Sequence, residues 1–453
     1  MPERLLHGWG RTAPTRADVV RPESVDDVVG WVRAARAGGS PAGLLARGQG
    51  RSYGDAAQRA GGTVMSSAGL DHVGDVRGDG TAAEIEVGAG VRLDDLLRRL
   101  VPQGWWLPVV PGTSAVSVGG AVAADVHGKS HHADGAFGRH VTTLELVDGH
   151  GVRRHLRPGE AAFDATTGGM GLTGVVTGAT LRLRPVRSAW MRTRTVVADD
   201  LDHLMGALAD ADRDHRYTVA WIDALTRGRH LGRGVVSAGE HAEPDELSRR
   251  HRRDPLRQRP PARLDVPVVA PPHLLNTASV AAFNEGWFRL SRATAGGGVQ
   301  PLAGFFHPLD GVRHWNRMYG PRGFVQYQLA VPHEAGEVVR AAVQRLAERR
   351  VPSFLAVLKR FGAAGPGPLS FPAPGWTLAL DLPADVEELG PLLDDLDERV
   401  AAAGGRVYLA KDARLRPDLL AAMYPRIAQW RTVRHELDPD GVFASDLSRR
   451  LGL

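Results

Sequence analysis

Three glycine clusters, each at the end of an apolar run, constrain this chain more than any other feature. The first is Arg47-Gly48-Gln49-Gly50-Arg51-Ser52-Tyr53-Gly54-Asp55. The second runs from Pro111-Gly112-Thr113 through Val116 and Gly119-Gly120 to His127-Gly128-Lys129, and the third is Gly168-Gly169-Met170-Gly171-Leu172-Thr173-Gly174, just ahead of Val175. A residue without Cβ lets a ligand lie against the backbone and use its N–H groups. In the second cluster Pro111 presets φ, and the small residues Ala121, Ala123 and Ala124 predict a helix packed tightly under such a ligand. A helix start aimed at a ligand favours phosphate, so residues 111–129 form a candidate pyrophosphate cradle, closing on the polar group His127, Lys129, His131 and His132. Three glycine loops on strand ends predict one large ligand held by backbone; a run of unrelated tight turns is the alternative. The first cluster is not the dinucleotide fingerprint, because Tyr53-Gly54-Asp55 does not open an amphipathic helix.

The 453 residues suggest two or three domains with an ordinary globular balance, 43% hydrophobic and 24% charged. No apolar run reaches the ~18 residues of a membrane helix. Met1-Pro2-Glu3-Arg4-Leu5-Leu6-His7 lacks the apolar core of a signal peptide. With no cysteine, thiolate nucleophiles, disulfides and cysteine zinc sites are excluded. The net charge of +5 tolerates an anionic substrate or membrane surface. Of the 56 basic residues only three are lysine, Lys129, Lys359 and Lys411. A chain that supplies arginine wherever any cation will serve keeps lysine where a compact, titratable ammonium is needed.

Along the chain, Ser24 and Asp27 make a capping box ahead of Val25, Val28, Val29 and Val32, which share one helix face that ends at Gly38-Gly39. Leu44, Leu45 and Ala46 read as a strand, residues 82–91 as a half-buried strand, and Leu93, Leu96, Leu97 and Leu100 as a helix face. A hairpin is expected from strands at 141–147 and 152–156. The glycine loops stop near Val186, where a domain boundary is expected. Seven arginines and three prolines in residues 249–263 predict an exposed or disordered loop, either plainly solvated or facing anionic lipid. Nothing there suits nucleic acid, since no aromatics interleave the cations. Gln326 and Gln328 lie two apart in an apolar strand and so share a face, either to bind sugar hydroxyls or to pair on a solvated sheet. A strand is expected at 376–382 and a helix at 386–402. Lys411 follows an apolar strand and is flanked by Tyr408 and Asp412.

Together the three glycine clusters resemble the vanillyl-alcohol-oxidase type of FAD-binding domain. Gln326-Tyr327-Gln328, Lys359 with Phe361-Gly362, Ala410-Lys411-Asp412 and Val442-Phe443-Ala444-Ser445-Asp446 narrow the resemblance to the decaprenylphosphoryl-β-D-ribose 2′-oxidases, FAD subunits of the 2′-epimerases of actinobacterial cell-wall arabinan synthesis. It runs from about Leu6 to the C-terminus. It implies an α+β fold: an FAD-binding domain over residues 1–185, a substrate domain on an antiparallel sheet over 186–405, and a segment 406–453 returning to the first. It implies non-covalent FAD, a polyprenylphosphoryl ribose oxidised at its 2′-hydroxyl, and an NADH-dependent keto-reductase partner. The family's cofactor positions fall on Arg47, Gly48, Gln49, Gly50, Arg51, Ser52, Tyr53, Pro111, Gly112, Thr113, Val116, Gly119, Gly120, Ala123, His127, Gly128, Gly171, Gly174, Val175 and Tyr408. Its substrate positions fall on Lys129, Trp221, Gln326, Gln328, Lys359, Asp381 and Tyr408, and the candidate proton acceptors are Lys411, Tyr53 and His127. All three lysines belong to this set. Two positions depart from mycobacterial members: Ala379 replaces a cysteine and Phe306 a tyrosine.

Three other readings compete. A related alditol or aldonolactone oxidase often carries a flavin-linking histidine in the first glycine turn, where Gly50-Arg51-Ser52-Tyr53 offers none. A metal hydrolase would need His127, His131, His132 and His140 as ligands, but Gly128 breaks the helix that would align them, and no metal is expected. A polyprenyl-phosphate binding protein would lack flavin. The expected location is cytoplasmic with peripheral inner-membrane contact, the periplasm being the alternative.

Overall fold

A computed structural model describes residues 3–39, 42–258 and 264–453. Met1, Pro2 and the 259–263 part of the arginine-rich segment lie outside the described residues. The architecture is α+β. Strands β1 (Glu3–Leu6), β2 (Thr15–Val20), β3 (Leu44–Arg47) and β4 (Thr63–Ser66) form a small sheet in the order β1-β2-β4-β3, with β2, β3 and β4 parallel. The helix Val25–Ala34 joins β2 to β3. Asp27 N–H donates to Ser24 Oγ at 3.1 Å and Ser24 N–H to the Asp27 carboxylate at 3.0 Å, the reciprocal cap expected from the sequence. Its buried face, Val28 and Val32, meets Leu44, Met65, Val147 and Val175 in a core of its own.

The second sheet is built on one long strand. β5 (Val73–Asp79), β6 (Ala82–Gly88), β7 (Trp105–Trp106), β8 (Val141–Val147), β9 (Arg153–Leu156) and β10 (Val175–Pro185) pair in the order β5-β6-β10-β8-β9, with β7 joining the end of β10. β6 stops at Gly88 rather than 91, because Gly90 crosses the 67–70 turn so closely that a Cβ would come within 1.9 Å of Ser67 O. The short helix Val118–Ala123, capped by Ser117, lies on β10.

The third sheet has eight strands: β11 (Trp190–Ala198), β12 (Tyr217–Ile222), β13 (Gly234–His241), β15 (Gly296–Pro301), β17 (Phe324–Val331), β18 (Ala356–Phe361), β19 (Gly375–Pro383) and β20 (Arg406–Val407), in the order β15-β11-β13-β12-β18-β19-β17-β20. A two-stranded ribbon, β14 (Leu264–Asp265) with β16 (Val312–Arg313), lies beside it. Helices Leu201–Asp214, Gly336–Glu348 and Leu389–Ala402 pack on the sheet. The last begins three residues later than expected, because Glu388 sits in the left-handed region at φ 54° and cannot continue a helix backwards. The strand expected before Lys411 shrinks to β20; residues 409–411 are a turn. The arginine-rich segment is docked where it is described. Residues Arg249–Arg252 form one helical turn, Ala189 N–H donates to Pro255 C=O at 2.7 Å, and Gln258 Nε2 donates to Leu97 C=O at 2.7 Å.

The C-terminal residues tie back onto the first sheet. Leu44 N–H donates to Val442 C=O at 2.8 Å and Ala444 N–H to Leu44 C=O at 3.0 Å, so residues 442–444 pair in parallel with the start of β3. Asp438 steers this return by accepting N–H bonds from Val442 at 2.8 Å and Phe443 at 2.9 Å. Phe443 is fully buried against Leu44 and the helix face of Val28 and Val32. Phe443→Ala is expected to lower the unfolding free energy by about 3–5 kcal/mol, the cost of a large buried cavity, read from the denaturant midpoint. A change below 1 kcal/mol would mean the tail is not part of the cooperative unit.

Candidate functional site

A cavity of about 320 Å³ lies where the three glycine clusters meet one face of the eight-stranded sheet. Every expected cofactor residue except Val175 lines it, as do Lys129, Gln326, Gln328, Lys359, Tyr408 and Lys411. Val175 is 1% exposed and turns into the smaller core with Leu44 and Val147, because it opens β10 on the far side of that strand.

The backbone of the first loop is free for a ligand. Among the described residues, no protein acceptor takes the N–H groups of residues 48–52, a run of five adjacent donors. Successive free amides of this kind form an anion nest. The expected cradle at the helix start differs: Val118 N–H donates to Val91 C=O, Gly119 N–H to Ala89 C=O and Gly120 N–H to Ser117 Oγ, so that first turn is satisfied within the protein. The glycines serve there as spacers. A Cβ on Gly112 or Gly171 would meet no protein atom within 4 Å. The Arg47 side chain bonds to Ala57 and His7 carbonyls and so braces the loop.

The sheet supplies the opposite wall through its register. Directly paired residues share a face, and the row Gln328–Ala379–Val357–Trp221 runs across β17, β19, β18 and β12. Flanking rows bring Gln326 beside Asp381 and Lys359 beside Thr377. Trp221 lies on the correct face at the end of its row but outside the cavity lining, where Val219 stands instead. Asp381 also stays behind the lining: it is fully buried and accepts a hydrogen bond from Gln326 Nε2. Ala379, small between Gln328 and Val357, leaves the middle of this wall open.

The three lysines all end in this chamber. Burial pushes Lys129 down to about 7 and Lys359 to about 8, and lowers Lys411, whose ammonium is partly supported by the charge of Asp381. Burial raises Asp381. Lys129 Nζ donates to Phe306 C=O at 3.2 Å. Lys411 Nζ lies 3.7 Å from the centre of the Tyr53 ring, and Tyr53 N–H donates to Ala410 C=O at 3.0 Å, which fixes the two side chains together. Asp412 does not pair with Lys411: its carboxylate accepts from Arg414 and Leu415 N–H groups and from Arg450.

The other candidate proton acceptors are placed less favourably. Burial first, and the nearby charge of Asp381 second, raise Tyr53 well above the ordinary phenol value. Burial and the charges of Lys359, His131 and Lys411 hold His127 well below the ordinary imidazole value. Gln328 Nε2 donates to His127 Nε2 at 2.9 Å and to Thr377 Oγ1 at 3.2 Å, while the buried His127 Nδ1 has no hydrogen-bond partner among the described residues. Tyr408 donates to Ala124 C=O at 2.7 Å and stacks on Phe371. The remaining histidines serve the scaffold: Gly362 N–H donates to His131 Nδ1 at 3.2 Å, His132 Nε2 bonds His215 C=O, and His140 Nε2 bonds Asp134 C=O.

Trp9, Leu309 and Trp315 also line the cavity, and the sequence motifs missed them. Trp9 N–H donates to Ser52 C=O at 2.7 Å, and Gly10 N–H to Tyr53 C=O at 3.0 Å, docking the N-terminal strand connection on the first loop. A Cβ would come within 2.2 Å of Gly54 O at Gly8, and within 2.3 Å of Phe324 O at Gly10. The Gly8-Trp9-Gly10 triplet was therefore the available signal.

Lys129 is neutral or charged in an apolar setting at a cost to folding. Its folded value lies below its ordinary unfolded value, so the unfolded chain binds the proton more tightly and the penalty is present below the unfolded pKa. Lys129→Met is expected to raise the melting temperature of the ligand-free protein at pH 7, and the gain should shrink as pH rises above about 7 and be gone by about pH 10. An unchanged melting temperature at pH 7 would show that Lys129 is solvated.

Comparison with known proteins follows the same pattern. The FAD binding domain family matches residues 17–157, and the D-arabinono-1,4-lactone oxidase family matches residues 386–451. The chain is 42% identical to the decaprenylphosphoryl-beta-D-ribose oxidase of Mycolicibacterium smegmatis over 99% of its length and 98% of that protein's. It is 27% identical to an alditol oxidase of a Streptomyces species over 82% of each chain. Similarity to the D-arabinono-1,4-lactone oxidase of Eremothecium gossypii is 31% over 51% of this chain and 42% of that one.

Proposed function

The chain belongs to the decaprenylphosphoryl-β-D-ribose oxidase family of FAD-binding proteins, and from that premise we propose that it oxidises the 2′-hydroxyl of a polyprenylphosphoryl-β-D-ribose to the ketone. FAD is its cofactor and accepts the hydride equivalent from the carbinol carbon when bound. The residues fit it: the free amides of 48–52 suit its pyrophosphate, and the open faces of Gly112 and Gly171 leave room for its body. Attachment is non-covalent in this reading, since the first loop holds Tyr53 and no histidine. Residues 1–185 carry the cofactor, 186–405 the substrate, and 406–453 return to complete the cofactor side. The matched span 17–157 and the pairing of residues 442–444 with β3 support that division.

The observation that carries the chemistry is the confinement of all three lysines and two buried amides to one chamber. Lys411 takes the 2′-hydroxyl proton, because burial leaves a neutral amine available near neutral pH, while Tyr53 stays protonated and His127 Nε2 is occupied by Gln328. Gln326 and Gln328 orient sugar hydroxyls, and Lys129 and Lys359 favour an anionic substrate. Oxidation alone leaves a ketone, so an arabinose product requires a separate reductase, which we assign to an NADH-dependent partner.

Lys411→Met and Lys411→Arg are expected to retain FAD yet slow its reduction by substrate at least ~10²-fold in stopped flow. Because only the deprotonated amine accepts the proton, the parental rate should rise with pH through the lowered pKa of Lys411 and then level off. The variants should lose that limb. Parental rates in both would remove Lys411 from the chemistry.

A lipid-borne substrate places the enzyme at a membrane surface. No described helix is long and apolar enough to cross one. Of the ten exposed large hydrophobics among the described residues, eight lie in residues 264–299: Leu264, Val268, Val269, Leu274, Phe283, Trp287, Leu290 and Val299. Phe283, Trp287 and Leu290 follow one stripe of the helix Thr277–Ala293, and Phe283 packs on Phe354 beside the cavity residue Leu355. This surface, rather than the arginine-rich segment, best supports peripheral contact. Replacing Phe283, Trp287 and Leu290 by serine should abolish co-sedimentation with anionic liposomes and leave turnover of a short-chain substrate unchanged. Undiminished sedimentation would place the contact elsewhere.

A further inference from the structure

We propose that Asp381 is a positioning residue for the oxidation: held behind the chamber wall, it governs when Lys411 carries a proton without touching the substrate. The proposal rests on the reading of Lys411 as the proton acceptor. Asp381 is fully buried on β19 and does not line the cavity, whereas its pairing partner on β17, Gln326, does. The carboxylate is tethered in that place. One oxygen accepts from Gln326 Nε2, and the backbone N–H donates to Leu355 C=O at 3.0 Å. The second oxygen, Oδ2, is buried with no protein partner among the described residues. A buried carboxylate with half of its acceptor capacity unspent is costly unless a cation lies near. Packing alone does not call for a charge at this position.

Lys411 is that cation. It is half-buried on the cavity wall, its ammonium rests on the face of Tyr53, and among the described residues it makes no hydrogen bond or ion pair. The charge of Asp381 nevertheless reaches it and favours the ammonium. The separation matters. A contact pair would hold Nζ against the carboxylate, whereas a carboxylate tethered to Gln326 leaves Nζ free to meet a hydroxyl. The other titratable groups facing Lys411 do not take this part. Lys359 opposes its protonation, burial keeps His127 neutral, and Tyr53 stays protonated. Tyr319, which also faces Asp381, stays protonated with its buried hydroxyl unpartnered. In the reaction the 2′-hydroxyl O–H bond breaks and an N–H bond forms on Lys411, while the carbinol hydrogen leaves as hydride for the flavin. The neutral amine thereby becomes a cation, and Asp381 is the fixed anion that meets it.

A chain with only three lysines makes the test direct. The FAD-loaded enzyme, labelled with carbon-13 at lysine Cε, is titrated by NMR, and the resonance missing from Lys411→Met belongs to Lys411. Asp381→Asn removes the charge and still offers an acceptor to Gln326. In that variant the Lys411 midpoint should move at least about one pH unit lower, while that of Lys129 stays in place. The pH limb of flavin reduction by substrate should move lower with it. Asp381→Ser serves the same comparison should Asp381→Asn fail to retain FAD. An unchanged Lys411 midpoint in a variant that retains FAD overturns the proposal, and so does a fall of all three lysine midpoints together, the mark of a loosened fold. If the midpoint moves as stated but flavin reduction does not follow it, the reading of Lys411 as proton acceptor fails and the hold of Asp381 on its charge stands.

Discussion

Desolvation of three ammonium groups is the constraint from which the rest of the site follows. Lys129, Lys359 and Lys411 are half-buried on the walls of one chamber, and Asp381 is the carboxylate that answers the charge of Lys411. Isolated buried cations are costly, so the chamber is poised either to release protons or to accept an anion. Both outcomes serve the same reaction: a neutral amine can take a hydroxyl proton, and a charged one can hold a phosphosugar. The amides of Gln326 and Gln328 are neutral donors and acceptors that satisfy the sheet wall without cancelling the positive field.

That chamber exists only because chain segments far apart in sequence close on one another. The first glycine loop takes the N-terminal segment through Ser52 and Tyr53 carbonyls and the C-terminal turn through the Tyr53 N–H bond to Ala410. The eight-stranded sheet supplies the opposite wall by register alone, since one residue of slip on β17 would turn both glutamines away. The tail residues 442–444 then pair with β3 and hold the cofactor side together. Fold and site are thus stabilised by the same contacts, and the conformational freedom of the first loop is restricted before any ligand binds.

The sequence carried the polar inventory well and its geometry less well. The capping box at Ser24, the glutamine pair and the three lysines were legible because each depends on local spacing or on composition. The role of the second glycine cluster was not. Its residues line the cavity as expected, but the first-turn amides bond to Ala89, Val91 and Ser117, and the free donors belong to residues 48–52. Which amide is spent depends on a strand neighbour that no local pattern reveals. Trp221 and Val175 show the same limit from the other side: correct strands, with side chains carried past the cavity or into another core.

By itself, the sequence determined that the chain builds glycine-lined strand ends, an amphipathic helical framework and a small set of titratable groups kept for chemistry. Those properties arise from residue type and short-range periodicity. The tertiary structure alone decided which amides stay unpaired, which lysine stands over Tyr53, and that Asp412 turns to Arg450 and away from Lys411. Each of these depends on long-range pairing and burial, because desolvation and hydrogen-bond competition act between groups that meet only after the three sheets have packed.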